Sequence, residues 1–397
     1  MILEILIALF IGIIVGSITG LAPGIHINLV ALVLLIASPF LLQYTAPLVL
    51  AVFIVSMSIT HCFLDFITGI FLGAPEESTA LSVLPGHRLL LQGRGYEAVK
   101  LTTMGCYVGL ILLILIVPLS VIFLPVIYNY IRLAIPFILI AASLFLVIKE
   151  EKKFLAFFIF MLSGCLGIAV LNLHVIKQPL FPLLTGLFGT SMLITSISQK
   201  TSIPKQKITS EKITVGAKTI FAGTISSFLC SFLPGLGASQ AAILGDEMTG
   251  KNSEKNFLIL LGIISILVTA LNFAALYIIN KPRSGTAIIV GRLLQDISLQ
   301  HLAIFCTAMI VAGSVAVFLA LFFAKVFAKH LPKINYSTLS LIILIFLVVL
   351  SVNISGWLSL LVLIVSTCLG IVTIAFGIKK MHLMGCLIVP VILYFIL

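Results

Sequence analysis

The chain of 397 residues is 61% hydrophobic and 9% charged, and its mean hydropathy is +1.32. Soluble globular domains carry about 25% charged residues, so a soluble fold could not bury this much apolar surface. The formal net charge is +11, but no stretch interleaves basic with aromatic residues as a nucleic-acid-binding face requires. The composition therefore predicts an integral membrane protein and excludes a soluble enzyme and a nucleic-acid-binding protein.

Long apolar runs with at most one charged residue recur along the chain and approach or exceed the ~20 residues that a helix needs to cross the hydrocarbon core. The clearest runs cover residues 2–18, 101–127, 154–171, 257–279 and 339–350. They predict an all-α polytopic membrane protein with about ten to twelve transmembrane or half-membrane helices. The first run has Glu4 as its single charge and lacks the basic start of a cleavable signal, so we interpret it as a membrane helix.

Basic residues collect in short loops between the apolar runs. These loops hold Lys149, Lys152 and Lys153; Lys200, Lys205, Lys207 and Lys212; Lys325, Lys329 and Lys333; and Lys379 and Lys380. The positive-inside rule places such loops on the cytoplasmic side of the cell membrane, beside anionic lipid headgroups. If the first two loops share that side, residues 155–171 and 180–197 form a hairpin, and the same reasoning pairs the spans between Lys333 and Lys379.

Two landmarks occur in the same order in each half of the chain. Residues 12–28 align without gaps on 223–239, so Pro234-Gly235 follows Pro23-Gly24 by 211 positions (234 − 23 = 211). Residues 74–81 resemble 281–288 at a similar offset (282 − 75 = 207). The pattern predicts a duplication. We expect a first membrane repeat at 1–198, a polar basic linker at 199–217 and a second membrane repeat at 218–397.

A Pro-Gly pair inside an apolar run predicts an interrupted helix, because proline lacks a backbone donor and glycine permits a non-helical turn. In lipid the freed backbone groups are tolerable only where they face protein or a wet cavity. Interrupted helices at matching positions of two halves are typical of a transporter's central binding site. The alternative is that each pair only kinks a helix or lies in an interfacial loop.

The polar residues at these landmarks and within the apolar runs form the predicted substrate- and ion-binding set, and none of them is predicted to be catalytic. The set comprises Pro23, Gly24, His26, Asn28, Asp65, Glu76, Thr79, Pro234, Gly235, Gly237, Ser239, Asn272 and Thr286. Hydroxyl groups near the interrupted helices suit a sodium ion, with Thr79 and Ser239 as the candidate ligands. We predict no other metal site and no cofactor beyond sodium or a proton as coupling ion.

The carboxylates of the set can also be explained by structural roles. Asp65 follows His61 by four residues, so both project from one helix face. The pair is either a proton- or cation-sensitive site or a hydrogen bond that satisfies two polar groups. Glu76 and Glu77 follow Pro75, and acids at the first turn of a helix are favoured by its dipole. Their counterparts in the second half include Arg283, so a carboxylate of one repeat could face a cation of the other.

One segment carries a family resemblance. It reads Pro75-Glu-Glu-Ser-Thr79-Ala80, continues through Pro85-Gly86, and ends in Gln92-Gly93-Arg94 and Ala98. It resembles the first-half signature of the large membrane subunit of tripartite tricarboxylate transporters, the TctA family. The elements around Pro23-Gly24 and around Pro234-Gly235-Leu-Gly237 match that family in kind and order.

The resemblance implies a secondary active transporter of organic anions such as di- and tricarboxylates, ion-coupled and working by alternating access. Its implied partners are the small organic anion, membrane lipid, a small membrane subunit, an extracytoplasmic binding protein and further copies of the same chain. Because this chain is compact, a stand-alone transporter is the alternative.

Two other functions stay open at this point. Helix amino termini suit phosphate as well as carboxylate, so the protein could translocate a lipid-linked phosphate carrier. An intramembrane enzyme is a weaker alternative, because no HExxH, GxSxG or aspartate-rich prenyl-diphosphate motif occurs. A passive channel is disfavoured because no filter motif is present.

Overall fold

A computed structural model describes residues 1–22, 27–73, 81, 83–173, 175–198, 203–208, 212–232, 238–250, 253–280, 284–333 and 335–396. Sixteen α-helices account for most of these residues, and no strand occurs among them. In the first half the helices are α1 Ile2–Leu21, α2 Ile27–Leu41, α3 Pro47–Ile67, α4 Val83–Leu91, α5 Gly95–Lys149, α6 Lys153–Leu171, α7 Leu180–Leu184 and α8 Ser191–Ser198. In the second half they are α9 Ala217–Phe232, α10 Ala238–Thr249, α11 Glu254–Ile278, α12 Gly285–Leu294, α13 Leu299–His330, α14 Tyr336–Ser355, α15 Ser359–Ala375 and α16 Gly385–Ile396.

Short segments of other helix types join some of these helices. A π-helical turn, Thr68–Leu72, extends α3, and a second one, Thr185–Thr190, joins α7 to α8. A 3-10 helix, Lys380–Met384, leads into α16. π-Helical turns are rare, and those that do occur are often found at functional sites. Both turns are therefore candidate functional positions.

Eight helical segments in the described part of the chain are long and apolar enough to cross a membrane. They are Ile2–Leu21, Pro47–Leu72, Gly95–Val126, Lys153–Leu171, Leu180–Ser198, Glu254–Ile278, Leu299–Lys333 and Ser337–Ser355. Four shorter apolar helices accompany them. The prediction of an all-α, multi-pass membrane protein is confirmed. The predicted hairpins correspond to α6 with α7–α8, and to α14 with α15.

Ion pairs gather the basic loops at one end of the helix bundle. Arg88 pairs with Glu254 at 2.8 Å, and Lys255 pairs with Glu97 at 3.1 Å. Lys149 pairs with Glu247 at 2.9 Å, only seven residues before Glu254 along the chain. We call this end the basic face. Residues 205–207 of the linker also lie there, because the Lys207 backbone N–H donates to the Gly93 carbonyl at 2.8 Å.

The amino terminus lies at the opposite end. The Thr45 hydroxyl donates to Glu4, so the start of α1 and the start of α3 share a face. The other end of α3 meets the carboxyl end of α13, where Phe71 and Phe327 have ring centroids 5.7 Å apart. Since α13 ends in Lys329 and His330, this second end belongs to the basic face. Helix α1 therefore starts away from the basic face, whereas α9 follows the linker and starts at it.

Helix α5 crosses the bundle twice. Its 55 residues would span ~80 Å if the helix were straight. Both ends, however, lie at the basic face, because Glu97 pairs with Lys255 and Lys149 pairs with Glu247. Eight residues separate these two partners, which limits their distance to ~28 Å. The helix must therefore turn back. Pro118, Pro125 and Pro136 each lack a backbone N–H donor, and helices bend at such residues.

A stripe of small residues brings α1 against α3. Gly12, Gly16 and Gly20 repeat every fourth residue and so lie on one face of α1. A Cβ atom on Gly16 would lie 2.5 Å from the Met57 carbonyl oxygen, and one on Gly20 would lie 2.8 Å from the Leu64 Cβ. Only glycine allows this approach. Close backbone contact replaces the hydrophobic effect as the driving force for helix association in lipid.

Replacing Gly16 by Leu should destabilise the protein by about 1–3 kcal/mol, because the added atoms must push α1 away from α3. The measurement is the melting temperature of the purified protein in detergent. Ile14→Phe is the matched control, because Ile14 is 60% exposed on the same helix and should leave the melting temperature unchanged. Equal melting temperatures for Gly16→Leu and the parent protein would contradict the packing.

Cysteines placed at Gln43 and at Lys207, each in a cysteine-free background, should react with a membrane-impermeant maleimide from opposite sides of the membrane. Gln43 lies in the α2–α3 turn beside Thr45, and Lys207 lies at the basic face; both residues are exposed. Labelling in sealed vesicles of both orientations provides the measurement. Labelling of both positions from one side would refute the assignment of faces.

Candidate functional site

Eight predicted site residues lie outside the described residues and stay predictions. They are Pro23, Gly24, His26, Glu76, Thr79, Pro234, Gly235 and Gly237. Five others are described: Asn28 at the start of α2, Asp65 near the end of α3, Ser239 at the start of α10, Asn272 on α11 and Thr286 at the start of α12. The geometry of the site is therefore built on these five residues and their neighbours.

Two of the five residues meet across the halves of the chain. The Thr286 backbone N–H donates to Asn28 Oδ1 at 3.1 Å, although 258 residues separate them. Gly285 permits the approach, because a Cβ there would lie 2.7 Å from the Asn28 amide carbon. Thr286 is buried and Asn28 is half-buried. Asn28, beside Pro23-Gly24 of the first half, thus accepts a hydrogen bond from the backbone N–H of Thr286, which lies in the second landmark of the second half.

The start of α12 is well defined by its own sequence as well. Ser284 is the N-cap, and its hydroxyl accepts from the Ala287 N–H at 3.2 Å. Its oxygen also lies 3.1 Å from the Thr286 hydroxyl. The first turn of α12 therefore has donors at Thr286 and Ala287 that are satisfied by side-chain oxygens from two halves of the chain. A break of the Asn28 contact would expose one of these donors.

Asp65 belongs to a second polar group, buried in the middle of the bundle. Its carboxylate accepts from the Thr68 hydroxyl at 3.3 Å, at the first residue of the π-helical turn. His61, one helical turn earlier, has its Nδ1 atom 3.0 Å from the Thr19 hydroxyl on α1. Asp65 and His61 are each only 2% exposed. The predicted pair therefore faces the protein interior, where ionisable groups are costly and usually functional.

Helices α3 and α11 cross next to this group. The sulfur of Cys62 lies 3.3 Å from the Thr269 hydroxyl, and 207 residues separate the two. The helices run in opposite directions, because α3 ends at the basic face and α11 starts there. Ser239 is fully buried, and Asn272 is half-buried on α11, three residues after Thr269. The structure therefore brings Asn28 to Thr286, and it places Asp65 and Asn272 on the two crossing helices.

A buried cation was missed by the sequence analysis. The interpretation of Lys380 as a surface lysine at the headgroups is wrong, because its side chain is folded inward and the residue is 4% exposed. Its Nζ atom donates to the Phe188 carbonyl at 3.2 Å and to the Ser191 hydroxyl at 3.1 Å. The neighbouring Lys379 is 64% exposed and pairs with Glu150.

Arg88 and Arg94 have protein partners at the basic face. Arg88 pairs with Glu254, and Arg94 forms a two-pronged pair with Glu97. Arg–carboxylate pairs of this geometry are strong and directional. In the described part of the chain, no group of three or more His, Cys, Asp or Glu side chains is arranged to hold a metal ion.

Comparison with known proteins agrees with this architecture. The model of the tripartite tricarboxylate transporter TctA family matches residues 6–385. The chain is also 33% identical to the uncharacterized protein MJ1079 of Methanocaldococcus jannaschii, over 98% of this chain and 99% of the relative. No solved structure matches the chain. The chain therefore belongs to the tripartite tricarboxylate transporter TctA family, so it is a multi-pass membrane protein with a transport role and not an enzyme.

Proposed function

We propose that this protein is a secondary active transporter that moves a di- or tricarboxylate-like organic anion across the cell membrane by alternating access. The observation that supports the mechanism is the crossing of α3 and α11 at Cys62 and Thr269. Their separation of 207 positions equals the offset between the second landmarks of the two halves. The substrate class is supported by membership of the family.

Packing within each half supports the predicted duplication. Gly12 on α1 faces Ser56 on α3, and Gly223 on α9 faces Ile263 on α11. The alignment of the first landmark pairs Gly12 with Gly223, and the offset of the second pairs Ser56 with Ile263. Equivalent glycines therefore contact equivalent positions. Helices α3 and α11 also begin 207 positions apart, at Pro47 and Glu254.

The two halves have opposite directions in the membrane. Helix α1 starts away from the basic face, whereas its counterpart α9 starts at that face. Likewise α3 ends at the basic face, whereas its counterpart α11 starts there. A repeat of this kind has a pseudo-two-fold axis in the membrane plane, which makes the inward- and outward-facing states of a transporter structurally equivalent. We propose that the axis passes between Cys62 and Thr269, and that rocking about this contact opens the site to each side in turn.

Within this mechanism the predicted site residues have separate roles. Asn28 and the start of α12 form a contact between the halves, in which the Thr286 N–H donates to the Asn28 oxygen. A substrate carboxylate could take the place of that oxygen and accept the same hydrogen bond. Asp65 is the candidate carboxylate for a coupling proton or sodium ion, since it is buried at the helix crossing. We propose the sites around Pro23-Gly24 and Pro234-Gly235 as the rest of the pathway.

The family consists of tripartite transporters, whose large membrane subunit works with a small membrane subunit and a binding protein. We propose that the same kinds of partner serve this chain in the cell, and that the substrate pathway itself lies within this subunit. The contacts of Asn28 with Thr286 and of Asp65 with Thr68 support that assignment, because both lie within this chain.

Proteoliposomes that contain the purified protein should accumulate radiolabelled citrate when a sodium or proton gradient is applied. Asn28→Ala should lower the initial rate roughly three- to tenfold, the effect of losing one buried hydrogen bond. Asn353→Ala is the control, because Asn353 is exposed on α14 and bonds only its own helix. Gradient-independent equilibration, or equal rates for the parent and Asn28→Ala, would contradict the proposed mechanism.

A disulfide between Cys62 and a cysteine at position 269 should stop uptake, and a reductant should restore it. The Thr269→Cys variant is made with the other native cysteines replaced, and a protease site after Lys212 allows the link between the halves to be seen on a gel. The contact distance of 3.3 Å between the present side chains makes the link feasible. Full transport by the cross-linked protein would show that the halves do not rock about this contact.

A further inference from the structure

Lys380 is a buried cation at the end of a polar loop. It starts the 3-10 helix Lys380–Met384, which packs against α6, α10, α15 and α16. The preceding Lys379 points outward to Glu150, whereas Lys380 points between helices toward the second π-helical turn. Two adjacent lysines in one loop therefore occupy opposite environments.

The partners of Lys380 are all neutral. Its ammonium donates to one backbone carbonyl and one hydroxyl, those of Phe188 and Ser191. An ammonium group has three donors, and the described residues accept two of them. No described carboxylate forms an ion pair with Nζ. A buried charge without a counter-charge costs several kcal/mol and marks a functional site by default.

The 3-10 helix of Lys380 packs on α10. Helix α10 follows Pro234-Gly235 of the second half. The 3-10 helix therefore lies beside an element that continues directly from a predicted interrupted segment.

We propose that the Lys380 ammonium binds an anionic oxyacid group of the transported substrate. This inference rests on the proposed transport function and assigns to it a residue that attracts the anion. Phe188 and Ser191 hold the ammonium in place through their oxygens, and the third donor is directed to the substrate. Carboxylate and phosphate groups share the required chemistry, because each presents acceptor oxygens with negative charge.

Lys380→Gln should raise the KM for citrate uptake at least about tenfold, since a charge-assisted bond is lost. Lys379→Gln removes the same charge one residue away, from an exposed position, and should keep the KM of the parent. Lys380→Arg retains the charge and should recover part of the affinity. A KM for Lys380→Gln equal to that of the parent would overturn the inference and leave the transport function standing.

Binding can be measured without transport. Citrate, succinate and inorganic phosphate are each added to the purified protein, and the melting temperature should rise with at least one of them in the parent and in Lys379→Gln, but not in Lys380→Gln. A response to phosphate alone would keep Lys380 as the anion site while it contradicts a carboxylate substrate. A parent protein that responds to none of the three anions would overturn the inference.

A wild-type experiment covers the case in which Lys380→Gln does not fold. Reductive methylation of lysines is followed by peptide mass spectrometry, and the responding anion should slow methylation at Lys380 but not at Lys379. A purely structural lysine would show the same methylation rate with and without the anion, and that result would refute the assignment.

Discussion

The hydrocarbon core of a bilayer offers no hydrogen-bond partners, so every backbone N–H and C=O group at membrane depth must be satisfied by the protein itself. Most of the chain meets this constraint by forming helices. Where a helix starts or changes type inside the bundle, other parts of the chain supply the missing partner. Asn28 does so for the Thr286 N–H, and Lys380 does so for the Phe188 carbonyl. These compensating contacts connect distant segments and hold the polar interior together.

The features predicted from sequence are those that depend on local composition. Apolar runs that approach or exceed the length of a membrane-crossing helix predicted the spans. The lysine-rich loops predicted a common basic face, because positive charges collect on one side of the membrane. Asp65 and Thr286 were singled out because a polar residue in an apolar run needs a reason to be there. Both are buried, at 2% and 1% exposure, although their roles stay predictions.

The features that were missed depend on tertiary contacts. The span predicted at residues 101–127 lies within α5, but only the ion pairs of Glu97 and Lys149 show that this helix continues and returns to the face where it began. Lys380 looked equivalent to Lys379, because a loop sequence does not reveal which of two adjacent side chains turns inward. The meeting of Asn28 with Thr286 joins residues 258 positions apart. Each could be suspected alone, but their contact required the fold.

The glycine contacts and the polar contacts differ in how much displacement they tolerate. Gly12, Gly16 and Gly20 hold α1 against α3 through backbone approach, which tolerates little displacement because interiors are closely packed. The contacts between halves at Cys62–Thr269 and Asn28–Thr286 are single polar interactions, each worth only ~1 kcal/mol. A rearrangement costs least at such contacts. Gly105 on α5 and Gly262 on α11, in contrast, make a close backbone approach across the halves, so we expect α5 and α11 to move together.

The placement of charge at the basic face has a consequence for membrane insertion. No Lys or Arg occurs in residues 1–87, so the segments that join α1, α2 and α3 carry no positive charge to set the orientation of these helices. Arg88, Arg94 and Lys100 then arrive together at one end of α5. If this cluster is retained in the cytoplasm, the amino terminus must lie on the opposite side of the membrane, although the first helices have already been synthesised. The orientation of the whole first half would thus be decided by residues that come after three of its helices.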